Sequence, residues 1–179
     1  MKLDSKRIHT GRVINLDVDT VRFPDGSKGE LEMIRHPGAA AVVPFASDPR
    51  GDDPTVLLIQ QYRYATGGTL IEIPAGRLNP GEDPRVCAQR ELLEEVGVKA
   101  GRVEPLTTIW TTPGFTDERI HLFWAADLTA GTHAREPDEF IEVMPTPLSE
   151  ALQLIRDGVI SDAKTAVALL FVAGFVLEY

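Results

Sequence analysis

The stretch from Gly76 to Val98 constrains this chain most, because it specifies a loop, a helix and a second loop in succession. Asp83 can accept a hydrogen bond from the first helical turn, and Pro84 suits the first helical position, where no N–H is needed. Gly97 suits the left-handed residue that closes a helix. The spacing predicts a helix over about 84–96. At about 100° per residue, Val86, Gln89, Leu92, Leu93 and Val96 fall on one side and are expected to pack, while Glu91, Glu94 and Glu95 gather on the other.

Like charges one turn apart, as at Glu91 and Glu95, cost a helix about 0.2–0.5 kcal/mol per pair. A hard divalent cation would offset that cost. Carboxylate oxygens suit Mg²⁺ or Mn²⁺, and no Cys/His cluster has the spacing of a zinc site. The alternative on these residues alone is a solvated acidic face with Arg90 as a salt-bridge partner.

Around this segment the chain reads mostly as strands. Val13, Leu16, Val18, Val21 and Phe23 precede a Pro24-Asp25-Gly26 turn, with Leu31, Met33 and Ile34 beyond it, which signals a hairpin. Ala39–Phe45 and Val56–Ile59 are short apolar runs that suit buried strands, and Leu70–Pro74, Ile109-Trp110 and Ile120–Ala126 read as further strands. The last two flank the loop 112–118. Two more helices are expected, at about 150–157, capped by Ser149 and stopped by Gly158, and at about 162–177. The order implies an α+β fold with a mixed sheet between helices.

Composition narrows the function. With 179 residues, 43% of them hydrophobic, the chain can bury a core without cross-links. Its single cysteine, Cys87, excludes an intrachain disulfide and fits a reducing cytoplasm. The polar N-terminus argues against a signal peptide. The longest apolar stretch, Thr165 to Leu177, is too short for a bilayer, which takes roughly 20 residues, so no membrane role is expected. A net charge of -9 disfavours nucleic acid as a partner, and an acidic protein that handles phosphates must place cations deliberately.

The segment resembles the Nudix box, Gly-x5-Glu-x7-Arg-Glu-U-x-Glu-Glu-x-Gly-U with U a bulky aliphatic. Gly76, Glu82, Arg90, Glu91, Leu92, Glu94, Glu95, Gly97 and Val98 meet every fixed position. The resemblance implies a Nudix fold, residues 38–179 here, in which metal ions held by the box glutamates serve hydrolysis of a diphosphate bond. Such metals neutralise phosphate oxygens and make the attacking water more acidic. Glu91 and Glu95 are then the expected inner ligands, and Glu94 a ligand, a neighbour of one or a catalytic group. Glu82 either orients Arg90, reaches a metal through water, or is only an acid at the helix start.

Pro113, fifteen residues beyond the box, resembles the ADP-ribose pyrophosphatase subgroup. So do Arg35-His36-Pro37-Gly38-Ala39, Gln60-Gln61-Tyr62-Arg63 and Glu72-Ile73-Pro74-Ala75-Gly76. The resemblance implies a substrate phosphate on Arg63, a polar substrate group on Glu72, a metal on the Ala75 carbonyl, and Arg35 reaching substrate across a dimer interface. Pro113 and Phe115 join the substrate surface, and Trp110 and Phe123 line either that surface or the core. An acidic loop in the subgroup supplies a glutamate that binds metal or deprotonates water, which here means Glu139 first and Glu136 second. Residues 1–37 are expected as a homodimerisation element. The implied activity is cleavage of ADP-ribose to AMP and ribose 5-phosphate. The alternatives are a pyrophosphatase for other nucleoside diphosphate sugars or dinucleotides, and a non-catalytic nucleotide-binding module.

Overall fold

In the computed structural model, which describes residues 1–132 and 140–177, alternation along one strand organises the core. Strand β4 (Ala39–Pro44) is buried on both faces, which its short, small side chains permit. It runs parallel to β9 (Arg119–Ala130) and antiparallel to β7 (Ala75–Arg77). β9 in turn pairs antiparallel with β8 (Val98–Trp110), giving a mixed sheet in the order β7-β4-β9-β8.

Successive β4 side chains point to opposite faces. Ala39, Ala41 and Val43 join a core with α2 (Leu148–Arg156) and α3 (Ala163–Phe171), including Leu148, Ala168 and Leu169. Ala40 and Val42 join a second core with α1 (Pro84–Glu91) and the turn after it, through Cys87, Ala88, Leu92 and Val96. The sheet is thus sandwiched between helices, as its pattern predicts. β5 (Thr55–Arg63) alternates between the same two cores and pairs with β6 (Gly68–Glu72) and β10 (Ile141–Pro147) in a second sheet.

The N-terminal region is more than the predicted hairpin. β1 (Lys2–Thr10), β2 (Asn15–Arg22) and β3 (Lys28–Arg35) form a three-stranded antiparallel sheet, and Val13 falls in the connection between β1 and β2. Every residue of β1 is exposed, so no alternation of polar and apolar residues announced it. This sheet meets the rest of the chain where Ile34 pairs with Thr116 of the loop 112–118.

The helix 84–96 has both predicted ends but a different face. Asp83 accepts hydrogen bonds from the Arg85 and Val86 N–H groups, and Gly97 takes the left-handed conformation. From Leu92 to Val96 the helix widens into a π turn. Val86 and Gln89 are exposed, and the buried stripe is Cys87, Ala88, Glu91, Leu92, Glu95 and Val96. Counting only apolar residues as core had rotated the face away from its two buried glutamates. Ser149 does not cap α2 either: it lies within the helix, where its N–H and Oγ donate to Asp53. Phe123 is core, whereas Trp110 and Phe115 are half-exposed. No helix among the described residues is long and apolar enough to cross a membrane.

Candidate active site

The π turn carries Glu95 inward, to 2% exposure, where its Oε2 accepts the Ala75 N–H at 3.0 Å. Glu91, one turn earlier, is also buried. Its carboxylate lies against Gly76 so closely that a β-carbon there would overlap it. β7 and α1 therefore meet through a backbone on one side and carboxylates on the other.

Arg90 gathers the remaining acids. Its Nε donates to Glu82 Oε1 at 2.9 Å, its Nη2 to Glu82 Oε2 at 3.1 Å and to the Arg77 carbonyl at 3.0 Å, and its Nη1 to both Glu91 and Glu94. Paired charge-assisted bonds of this kind fix a guanidinium in plane. Glu82 also accepts the Asn79 N–H, so it ties the loop to the helix. The Arg90 guanidinium holds the Glu82 carboxyl down at about 2. Of the readings open for Glu82, orienting Arg90 is the one its contacts support.

A second charged group stands on β5 and β6. Arg63 donates to Glu72 Oε2 through Nε at 3.0 Å and Nη2 at 2.7 Å, and Lys164 of α3 donates to Glu72 Oε1 at 3.0 Å. Glu72 is buried, with each carboxylate oxygen bound to a cation of its own.

These groups surround a cleft of about 800 Å³. Arg63, Ala75, Glu91, Glu94 and Glu95 line it. Arg35, Glu72, Glu82, Pro113 and Phe115 stand outside the lining, Glu72 behind Arg63 and Glu82 behind Arg90. Arg35 is held within its own chain: Nε donates to Asp17 and Nη1 to Asp117, each at 3.1 Å, and Nη2 to Asp19. Glu136 and Glu139 lie outside the described residues.

The sequence reading assigned no role to Asn15, His36, Gln61, Glu118 and Lys164, all of which line the cleft. Gln61 sits within Gln60-Gln61-Tyr62-Arg63 and His36 within Arg35-His36-Pro37-Gly38-Ala39, so two of them were already marked by the motifs around them. Asn15, Glu118 and Lys164 reach the cleft only through tertiary structure.

Among the described residues no three His, Cys, Asp or Glu side chains stand in a ready metal-binding arrangement. The donor set nevertheless fits a hard divalent cation, since two buried carboxylates, Glu91 and Glu95, meet the Ala75-Gly76 backbone in the cleft wall.

A family model described as the NUDIX domain matches residues 35–168, and the chain belongs to this family of hydrolases. An ADP-ribose pyrophosphatase of Bacillus subtilis (strain 168) is 40% identical over 92% of this chain and 87% of its own length. A methanol dehydrogenase activator of Bacillus methanolicus is 40% identical over 93% of this chain and 89% of its own. A GDP-mannose pyrophosphatase of Cronobacter sakazakii is 37% identical over 81% of this chain and 82% of its own. The fold is shared with a crystal structure of an ADP compounds hydrolase, at a TM-score of 0.84 and 22% identity, covering 99% of this chain and 94% of that one.

Proposed function

We propose that the protein hydrolyses the diphosphate bond of ADP-ribose to AMP and ribose 5-phosphate, with Mg²⁺ or Mn²⁺ as cofactor. The observation that carries this reading is the pair of buried glutamates, Glu91 and Glu95, in the wall of a cleft that Arg63 also lines. The ADP-ribose pyrophosphatase of Bacillus subtilis, 40% identical, supplies the substrate. Glu91, Glu95 and the Ala75 carbonyl would hold a divalent cation, which would supply charge to the diphosphate oxygens and acidity to the attacking water.

The chain's own residues do the rest. Arg63, held by Glu72 through Nε and Nη2, meets a phosphate with its remaining donors, and Lys164 fixes Glu72 from the other side. Arg90, set by Glu82, holds Glu94 at the cleft edge. A glutamate of the acidic segment, Glu139 or Glu136, takes the proton from water as it attacks phosphorus, and the bridging oxygen leaves with the other phosphate. Arg35 serves through the loop 112–118, which it holds by Asp117 and which brings Glu118, rather than Pro113 or Phe115, to the cleft.

We also place the wholly exposed β1 and its sheet at a homodimer interface, since a thin sheet needs a covering face to be stable. The free thiol of Cys87 fits a reducing, cytoplasmic setting. A second substrate class, nucleoside diphosphate sugars such as GDP-mannose, is favoured by the relative at 37% identity. Incubation with ADP-ribose, GDP-mannose, NADH and ATP plus Mg²⁺ tests both readings by product identification. Preferential release of AMP and ribose 5-phosphate from ADP-ribose is expected, and turnover of none of the four would overturn the proposal.

A further inference from the structure

Two buried acceptors in the cleft wall have no hydrogen-bond donor. They are Gln61 Oε1 and Asn15 Oδ1, and they are the only such side-chain atoms among the described residues. Both residues line the cleft. Gln61 lies on β5 opposite Leu70 and Ile141, at 6% exposure, two residues before Arg63 on the same strand face. Its neighbour Gln60 shows the ordinary arrangement, with its Nε2 satisfied by Thr69 Oγ1 at 3.1 Å. Asn15 opens β2 opposite Arg35, on the side of the cleft formed by the N-terminal sheet.

An amide oxygen taken out of water without a donor is costly, and folded chains rarely tolerate it. Finding both cases in one cleft ties them to whatever fills it. Diphosphate oxygens are acceptors only and would repel an amide oxygen. Hydroxyl and amino groups are donors, and in a nucleoside diphosphate derivative they belong to the groups on either side of the diphosphate.

We propose that Gln61 and Asn15 are specificity-determining residues, whose side-chain oxygens accept hydrogen bonds from the hydroxyl or amino groups flanking the substrate diphosphate. The inference rests on reading the cleft as a diphosphate site. A pocket with buried acceptors rejects ligands that lack the matching donors more strongly than an apolar pocket can, since those acceptors would then stay unpaired. The same acceptors weaken the empty protein, the usual trade between stability and function.

The test compares wild-type protein with Gln61→Met and Asn15→Leu, which keep side-chain volume and remove the amide. KM and kcat for ADP-ribose with Mg²⁺ are measured alongside the melting temperature of each protein without ligand. For each variant KM rises about tenfold or more, the scale of one lost hydrogen bond to substrate. The loss in kcat is smaller, and the ligand-free melting temperature stays level or rises. A purely structural amide would lower the melting temperature and leave KM alone, and that result, or wild-type KM in both variants, overturns the inference. Asn15, half-buried at a strand end, gives a folded variant even where Gln61→Met does not. If the wild-type protein itself turns over no nucleoside diphosphate derivative, the functional reading fails and this inference falls with it, whereas wild-type turnover with unchanged KM in both variants overturns this inference alone.

Discussion

The Glu91 carboxylate fills the space that a side chain at residue 76 would occupy. Gly76 is required here for close approach of backbone to carboxylate, whatever its turn geometry. Gly76→Ala must push Glu91 out of the cleft wall or force β7 away from β4. We expect a stability loss of about 1–3 kcal/mol, the usual cost of overpacking a tight site. Turnover should fall further than stability does. Urea denaturation and steady-state kinetics on the same preparation check both, and wild-type turnover would show that Glu91 has no need of its present position.

Glu95→Gln keeps an oxygen for the Ala75 N–H and removes only the charge. The fold should therefore survive with an unchanged circular dichroism spectrum. Metal-dependent turnover should drop at least roughly a hundredfold, the scale for losing one charge-stabilising group. Full activity in this variant would remove the glutamate pair from the mechanism.

The helix ends were legible because Asp83, Pro84 and Gly97 act locally, through backbone hydrogen bonds and dihedral preference. Its packing face was not, since Glu91 and Glu95 are buried by interactions with a strand about fifteen to twenty residues earlier in the sequence. The same distinction separates Arg63 from Lys164. Arg63 stands in a motif, whereas Lys164 meets Glu72 only because α3, packed on β4 and β9, brings its first turn to the end of β6. Strand β1 stayed hidden for another reason: a strand with no buried residue carries no periodic apolar signal.

Acid should destabilise the protein through Glu82. Its folded pKa, about 2 against the ordinary 4.5, lies below the unfolded one, so its stabilisation is complete above about pH 4.5. It fades as pH falls toward 2. Asp17 and Asp19, lowered chiefly by hydrogen bonds from Arg7 and Ser5 respectively, act in the same direction. Glu82→Gln should flatten the dependence of urea midpoint on pH between about 5 and 2. A variant that retains the full wild-type slope would assign the acid sensitivity to the aspartates alone.

Cys87 should resist alkylation in the native protein. It is fully buried, and burial pushes its thiol up to about 12, so almost no thiolate exists at neutral pH. A disulfide reagent should label it only at the rate of unfolding, with added urea accelerating the reaction. Rapid stoichiometric labelling of folded protein would contradict this burial.

Arg35 joins the N-terminal sheet to the loop that carries Pro113. Asp17 and Asp19 lie on β2, while Asp117 belongs to the loop and also accepts the His36 N–H at 2.9 Å. Arg35→Met leaves two buried aspartates with Arg7 and Ser5 as their remaining side-chain hydrogen-bond partners among the described residues. Removing one member of such an ion cluster destabilises the fold, because the surviving charges lose the partner that faced them. The loss should be local as well as global. Hydrogen exchange should rise in residues 15–35 and 112–118 ahead of β4 and β9, whose core contacts do not involve Arg35. Since His36 and Glu118 line the cleft next to this junction, KM should rise with it. Unchanged exchange in both segments would mean that the sheet is held by its backbone bridge at Ile34 and Thr116 alone.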